Sequence, residues 1–210
     1  NMDTVTESPM ANFIGSKGGI GVLHRFMSIE KNIEEFKACK TPVFVSVGTS
    51  DKDVERAAAL RDAGAAYFCL DVAHGDHISV KNAIRELRAR YGDNIHIMAG
   101  NVATLEGFNH ISHWGADSVR VGIGGGSICS TRIQTGHGVP TFTSVMECRY
   151  SQYGATLVAD GGIKTSGDIV KCLAAGADLV MLGSMLAGTH ESPGTVFSDS
   201  DGKQFKHYRG

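Results

Sequence analysis

Residues 156–184, TLVADGGIKTSGDIVKCLAAGADLVMLGS, contain one full period of the fold. A short apolar run, Thr156–Ala159, ends in Asp160-Gly161-Gly162. A helical pattern follows over Ser166–Ala175, stops at Ala175-Gly176-Ala177, and gives way to a second apolar run, Leu179–Gly183. Strands covered on both faces of a parallel sheet read as unbroken apolar runs, and parallel neighbours need a crossover of about this length. The stop is physical: a glycine just past the last turn takes the left-handed conformation that ends a helix.

The same period repeats toward the N-terminus. Further strands are expected at Gly19–His24, Val43–Gly48, Ala66–Val72, Ile95–Gly100 and Ser118–Gly122. Helices are expected at Asp51–Ala63, Ile78–Tyr91, Leu105–Trp114 and Thr143–Tyr153, and two of them end in the same device, Ala63-Gly64-Ala65 and Trp114-Gly115-Ala116. Seven strands alternating with helices place the chain in the α/β class. An eighth strand is expected to end at Asn1-Met2-Asp3. Eight equal units favour a closed (β/α)8 TIM barrel over an open doubly wound sheet. Such a barrel takes roughly 250 residues, so the 210 residues are expected to be a single catalytic barrel domain, 1–210, with its first strand and last helix truncated.

Twenty Lys and Arg against 22 Asp and Glu leave a formal charge of −2. Without a basic stripe or interleaved aromatics, nucleic acid is excluded as the expected partner. No apolar run approaches the roughly 18 residues of a membrane span. Five scattered cysteines, 39, 69, 129, 148 and 172, form neither a CxxC nor a Cys/His metal pattern and suit a reducing, cytoplasmic setting.

In barrels of this kind the chemistry sits at the C-terminal ends of the strands. Position alone therefore selects Met2-Asp3, His24-Arg25, Gly48, Asp71, Gly100-Asn101, Gly122–Thr131, Asp160–Gly162 and Gly183-Ser184. The loop Gly122-Ile123-Gly124-Gly125-Gly126-Ser127-Ile128-Cys129-Ser130-Thr131-Arg132 is the most informative. Four glycines among its first five residues let backbone amides and carbonyls turn inward, to hold a phosphate or a cation. Cys129 on such a loop is placed to become a nucleophilic thiolate, whereas Cys69, Cys148 and Cys172 read as buried, inert thiols. With the missing strand counted first, Asp160-Gly161-Gly162 and Gly183-Ser184 follow strands seven and eight, the pair of loops that commonly binds phosphate in barrels. Asp160 would accept from ribose hydroxyls. A carboxylate ending an apolar strand, Asp71, needs a partner or a function. Asn101 and Arg132 are pocket candidates on the same positional ground. His74 and His77 lack a third metal ligand and read as solvated loop residues.

The loop Gly122–Arg132, with Gly-Ser-Ile-Cys at its heart, resembles the catalytic loop of the inosine-monophosphate dehydrogenase/guanosine-monophosphate reductase family. Asn1-Met2-Asp3-Thr4-Val5, Gly100-Asn101-Val102, Asp160-Gly161-Gly162-Ile163, Met181–Gly188 and Glu191-Ser192-Pro193-Gly194 extend the resemblance along the chain. The resemblance implies that Cys129 attacks C2 of a purine nucleoside monophosphate, with Thr131 assisting proton transfer. It implies that Ser127, Gly161, Gly162, Gly183, Ser184 and Tyr208 surround the phosphate, Asp160 the ribose and Met2 the base. Asp71 and Asn101 would lie on the nicotinamide side, and the carbonyls of Gly124, Gly126 and Cys129 match a potassium (K+) site. A homo-oligomer, commonly a tetramer, is implied as well.

The family has two branches. The dehydrogenase oxidises IMP with NAD and hydrolyses the resulting thioether adduct; the reductase converts GMP to IMP and ammonia with NADPH. Glu30–Thr41 runs straight into the next strand, with no inserted CBS modules, and Asn1, His24-Arg25-Phe26 and Val145-Met146-Glu147-Cys148 look reductase-like. Thr6-Glu7-Ser8, Ala103-Thr104-Leu105-Glu106-Gly107 and Tyr208-Arg209-Gly210 look dehydrogenase-like. The balance leans to the reductase, with NADPH as its dinucleotide. From other classes, a non-catalytic nucleotide-binding barrel is opposed by the Cys129/Thr131 pair, and a phosphate-binding isomerase or aldolase would depend on Lys164.

Overall fold

A computed structural model of the chain describes residues 1–209. The elements in order are α1 (Ser8–Ser16), β1 (Gly21–Leu23), α2 (Ile29–Ala38), β2 (Val43–Val47), α3 (Asp51–Asp62), β3 (Tyr67–Asp71), α4 (Ile78–Tyr91), β4 (His96–Val102), α5 (Leu105–Trp114) and β5 (Ser118–Val121). There follow α6 (Thr131–Thr135), α7 (Thr141–Cys148), β6 (Thr156–Asp160), α8 (Ser166–Ala175), β7 (Leu179–Met181), β8 (Phe197–Ser198) and β9 (Gln204–Phe205). Strands β1 to β7 form one parallel sheet in sequence order, and β8 and β9 form a separate antiparallel hairpin.

The seven-stranded sheet curls into an incomplete barrel. Alternate residues of each strand face opposite ways. Phe44, Cys69, Met98 and Val158 pack together on the concave side. Val45, Phe68, Leu70, Ile97, Ala99, Val119, Val121 and Ala159 form the larger core beneath the helices. At the strand tips the inward set continues as Asp71, Gly100, Arg120, Asp160 and Met181, aligned by the ladders Asp71–Gly100–Arg120 and Asp160–Met181.

The helix stops follow the sequence. Gly64, Gly115 and Gly176 lie at φ +106°, +111° and +115°. In each case the next alanine amide reaches back to close the turn, Ala65 to Leu60, Ala116 to Ile111 and Ala177 to Cys172. Two of these stops continue as Gly-Ala-Asp, and the aspartate then takes the amide of a neighbouring strand: Asp117 accepts from Ile97 at 2.6 Å and Asp178 from Leu157 at 2.7 Å. Helix starts use side-chain caps at Ser28, Thr104 and Thr165, the last with Asp168 in a capping box.

Beyond Asn1-Met2 the chain turns at residues 3–5, with the Val5 amide on the Met2 carbonyl at 3.1 Å, and the Asn1 side chain reaches into the barrel. Several expectations need correction. The first strand is shorter than Gly19–His24, since Gly18 turns at φ +82° before it. The helix expected at Thr143–Tyr153 begins at Thr141, behind Pro140, and stops at Cys148. Helices α1, α2 and α6 and the β8–β9 hairpin were not anticipated. Among the described residues no helix is long and apolar enough to cross a membrane.

Candidate functional site

Three backbone segments meet at the open end of the sheet because glycine leaves them room. A Cβ on Gly122, at φ +146°, would lie 1.8 Å from the Asp160 carbonyl oxygen. One on Gly162 would lie 3.1 Å from the Gly125 oxygen. The loop after β5 and the loop after β6 therefore pack backbone against backbone, and the buried Ile163 anchors the second to the core. After β7, Gly183 begins a turn that accepts the amides of Leu186 and Ala187 at 2.9 and 3.2 Å. It is a single turn, not the start of a helix.

These loops enclose a cavity of about 220 Å³ lined by Met2, Gly126, Ser127, Ile128, Cys129, Asp160, Gly161, Gly162, Ile163, Met181, Gly183, Ser184 and Tyr208. All ten residues expected to bind the nucleotide, or to attack it, line this space except Thr131, which touches it through Cys129. The far wall comes from the C-terminal hairpin. Lys206, one residue past β9, donates to the carbonyls of Thr189 and Ser192 at 2.9 and 2.6 Å. Two residues on, the Tyr208 hydroxyl sits 3.4 Å from Ser127 Oγ. Arg209 pairs with Asp3, tying this wall to Met2. Gly210, part of the dehydrogenase-like motif, lies outside the described residues.

Cys129 is chemically set apart from the other thiols. Its sulfur lies 3.3 Å from Thr131 Oγ1. That hydroxyl, the backbone of Thr131 and Gly124, and the charge of Arg132 hold the Cys129 thiol below its ordinary range, against a smaller opposing effect of burial. The other four cysteines go the other way. Burial raises Cys39 to about 11 and Cys148 to about 12, and lifts Cys69 and Cys172 as well. A thiolate, not a thiol, is the nucleophile, so the electrostatics single out one sulfur, and it is the one facing the cavity.

Asp71 and Asn101 do not line the cavity; they stand beside it on neighbouring strand tips. Burial pushes the Asp71 carboxyl up, but the Arg120 guanidinium 2.6 Å away outweighs it, so the group stays ionised. Asn101 donates to Asp160 Oδ2 and to the Gly122 carbonyl, both at 2.8 Å. Of the proposed cation carbonyls, Gly126 and Cys129 border the cavity. Gly124 lies behind them against the Arg132 stem, and the Gly126 carbonyl already accepts the Cys129 amide at 3.1 Å. Arg132 and Lys164 are exposed; neither enters the cavity. His77 is not simply solvated, because its Nδ1 caps α4 by accepting from the Ser79 amide at 3.2 Å. Among the described residues no three His, Cys, Asp or Glu side chains cluster to hold a metal.

Arg120 was missed from sequence. The reasoning applied to Asp71, that a charge in an apolar strand needs a partner, applies equally to the arginine in Ser118-Val119-Arg120-Val121, and each is the other's partner.

A family model described as "IMP dehydrogenase / GMP reductase domain" matches residues 1–210. An inosine-5'-monophosphate dehydrogenase from Streptococcus pyogenes is 45% identical over 204 residues, 94% of this chain and 41% of the relative. Its counterpart from Aquifex aeolicus is 42% identical over 205 residues, with the same shares. The crystal structure of inosine 5' monophosphate dehydrogenase from Legionella pneumophila superposes with a TM-score of 0.94 at 58% identity, covering all of this chain and 64% of that one. The chain thus spans about two fifths of the length of these curated relatives. The parallel strands, the glycine-packed loops and these likenesses agree: the chain belongs to the IMP dehydrogenase/GMP reductase family.

Proposed function

We propose that this chain is the catalytic barrel of an IMP dehydrogenase, oxidising IMP to XMP with NAD through a covalent Cys129 adduct. The observation that carries the chemistry is the lowered Cys129 thiol facing a cavity lined by phosphate-sized glycine turns. The branch is favoured by the relatives at 42% and 45% identity, which are named dehydrogenases. This reverses the lean of the sequence reading toward the reductase and NADPH.

In this reading the phosphate lies among Ser127, Gly162, Gly183, Ser184 and Tyr208, and the ribose hydroxyls donate to Asp160. Met2 packs on the base and places C2 over the Cys129 sulfur. The thiolate adds to C2, hydride leaves C2, and the adduct becomes amidine-like. Water then adds at the same carbon and gives up its protons, and the C2–S bond breaks to release XMP and restore the Cys129 thiolate, so one difficult displacement becomes two easier steps. The Thr131 hydroxyl lowers the Cys129 thiol and so favours the attacking thiolate, and it assists proton transfer nearby. NAD, when bound, supplies the hydride acceptor, with Asp71 and Asn101 placed to orient it. The carbonyls of Gly124, Gly126 and Cys129 are uncharged oxygens, a set that would suit a monovalent cation and not a transition metal; potassium is the proposed occupant. A homotetramer and a cytoplasmic location complete the reading, the latter supported by five free cysteines.

The test follows nicotinamide absorbance in the full-length protein with IMP, NAD and potassium, against GMP with NADPH. Reduction of NAD in the first mixture is the expected result. NADPH oxidation in the second would restore the reductase reading. Silence in both, with Cys129 protected from alkylation by IMP, would leave a non-catalytic nucleotide-binding barrel.

A further inference from the structure

Arg120 stands inside β5 with its side chain 2% exposed. A guanidinium stays charged at any physiological pH, so burying it demands acceptors. They come from four separate segments. Asp71 Oδ1, at the tip of β3, accepts from one terminal nitrogen at 2.6 Å. The other terminal nitrogen donates to Asn1 Oδ1 at 3.1 Å, lies 3.7 Å from Met181 Sδ, and lies 4.0 Å from Asp160 Oδ2. Its Nε has no partner. Burial opposes the charge, and the Asp71 and Asp160 carboxylates favour it, so the proton is held more tightly than usual.

What matters is where the two carboxylates point their remaining oxygens. Asp71 offers Oδ1 to Arg120, and Asp160 offers Oδ2 to Arg120 and Asn101. Asp71 Oδ2 and Asp160 Oδ1 make no hydrogen bond to any described residue. The buried cation thus binds one oxygen of Asp71 directly and attracts, from 4.0 Å, the Asp160 oxygen that Asn101 holds, leaving the other oxygen of each carboxylate for a ligand. Asp160 lines the nucleotide cavity, and Asp71 stands beside it on the third strand tip.

We propose that Arg120 is a positioning residue shared by the two ligand subsites: it orients Asp160 toward the nucleotide and Asp71 toward the dinucleotide, and so couples their binding. The proposal rests on the nucleotide–dinucleotide reading above. A residue serving only the core would satisfy its charge without tying together carboxylates from two subsites.

The test uses full-length wild type, Arg120→Lys and Arg120→Gln, with steady-state kinetics, thermal midpoints and IMP protection of Cys129 from alkylation. Lysine keeps the charge but offers a point ammonium where the fork spans two acceptors. Arg120→Lys is expected to fold, to raise KM for IMP and for NAD together by about tenfold, and to change kcat far less; tenfold is the size of one charge-assisted hydrogen bond, lost at Asp71, or of the close charge contact that steadies Asp160. Arg120→Gln is expected to raise both further. In wild type NADH, which occupies the dinucleotide site but cannot accept hydride, is expected to strengthen IMP protection, and in Arg120→Lys that enhancement is expected to be lost. Should Arg120→Gln fail to fold, Arg120→Lys decides alone. A lowered thermal midpoint with both KM values unchanged would overturn the proposal, as would a rise confined to one ligand. Absence of turnover in wild type would count against the function reading only. The protection measurement, with and without the dinucleotide, then reads the coupling directly.

Discussion

At the scale of single residues, the five cysteines show how position becomes chemistry. Cys129 shares its loop with a hydroxyl two residues on and with glycine amides, while Cys148 and Cys172 are enclosed by α7, α8 and the sheet. Iodoacetamide at neutral pH is therefore expected to modify Cys129 first. Its reaction rate should rise with pH about a midpoint below the ordinary thiol value of about 8.5. Thr131→Val removes the largest cause of that shift, so the midpoint should move up and the neutral-pH rate fall; an unchanged midpoint would show that the hydroxyl has no such role. Cys129→Ala is expected to lower turnover by about 10⁴-fold or more while sparing the fold. Glycines give a second contrast. Gly122→Ala would drive a methyl into the Asp160 carbonyl 1.8 Å away and should cost more than about 3 kcal/mol in denaturant unfolding. Gly64→Ala meets nothing within 4 Å and should cost only the left-handed strain, about 1 kcal/mol.

Between elements, a few long side chains hold the layers in register. Arg88 on α4 donates to the carbonyls of Gly115, Gly92 and Ile95, each at 2.9 Å, and pairs with Asp117. It thus joins the end of α4 to the starts of β4 and β5. Arg88→Met should destabilise the protein by about 2 kcal/mol, since the charge-assisted bonds are partly solvent-screened; urea unfolding measures it. Lys206 does the same for the hairpin, and its removal frees the wall that carries Tyr208. Lys206→Met should raise KM for the nucleotide several-fold with kcat little changed, and equal losses in both would point away from a role in phosphate contact. The hairpin was legible in principle. Asp199-Ser200-Asp201-Gly202 between two phenylalanines is a turn signal, and Asp199 Oδ1 indeed takes the amides of Asp201 and Lys203. Its two-residue strands are too short for periodicity to find.

For the whole molecule, the buried carboxylates set the response to acid. Burial raises Asp71, Asp53 and Glu35, but Arg120 with Asp71, the Ser50 and Gly48 contacts with Asp53, and the Ser8 and Lys31 contacts with Glu35 bring each below its ordinary value. A carboxylate depressed in the fold binds protons more readily when unfolded. Its stabilisation is complete above the unfolded value of about 4 and is lost as pH falls through the lowered folded value. Urea stability should therefore be level near neutrality and decline below about pH 4. Asp71→Asn should make that decline shallower, and an unaltered acid limb would remove Asp71 from the account.

The amino-acid sequence by itself determined the alternation of strand and helix, the glycine stops and the nucleophile, because each depends on neighbours within a few residues: apolar period, left-handed glycine, a thiol with its hydroxyl two positions away. Seven strands were legible on that ground. Only the tertiary structure decided what lies across the barrel. Arg120 reads as an odd charge in an apolar strand until curling brings Asp71, Asn1, Asp160 and Met181 around it. The Asn1 side chain, at the expected end of the eighth strand, is seen only in the fold to meet Cys69 and Arg120. Tyr208 reaches the cavity through a hairpin anchored at Ser192 and Thr189, far from β5 in sequence. These contacts join residues up to 119 positions apart, and closure of the sheet fixes them, which no local periodicity records.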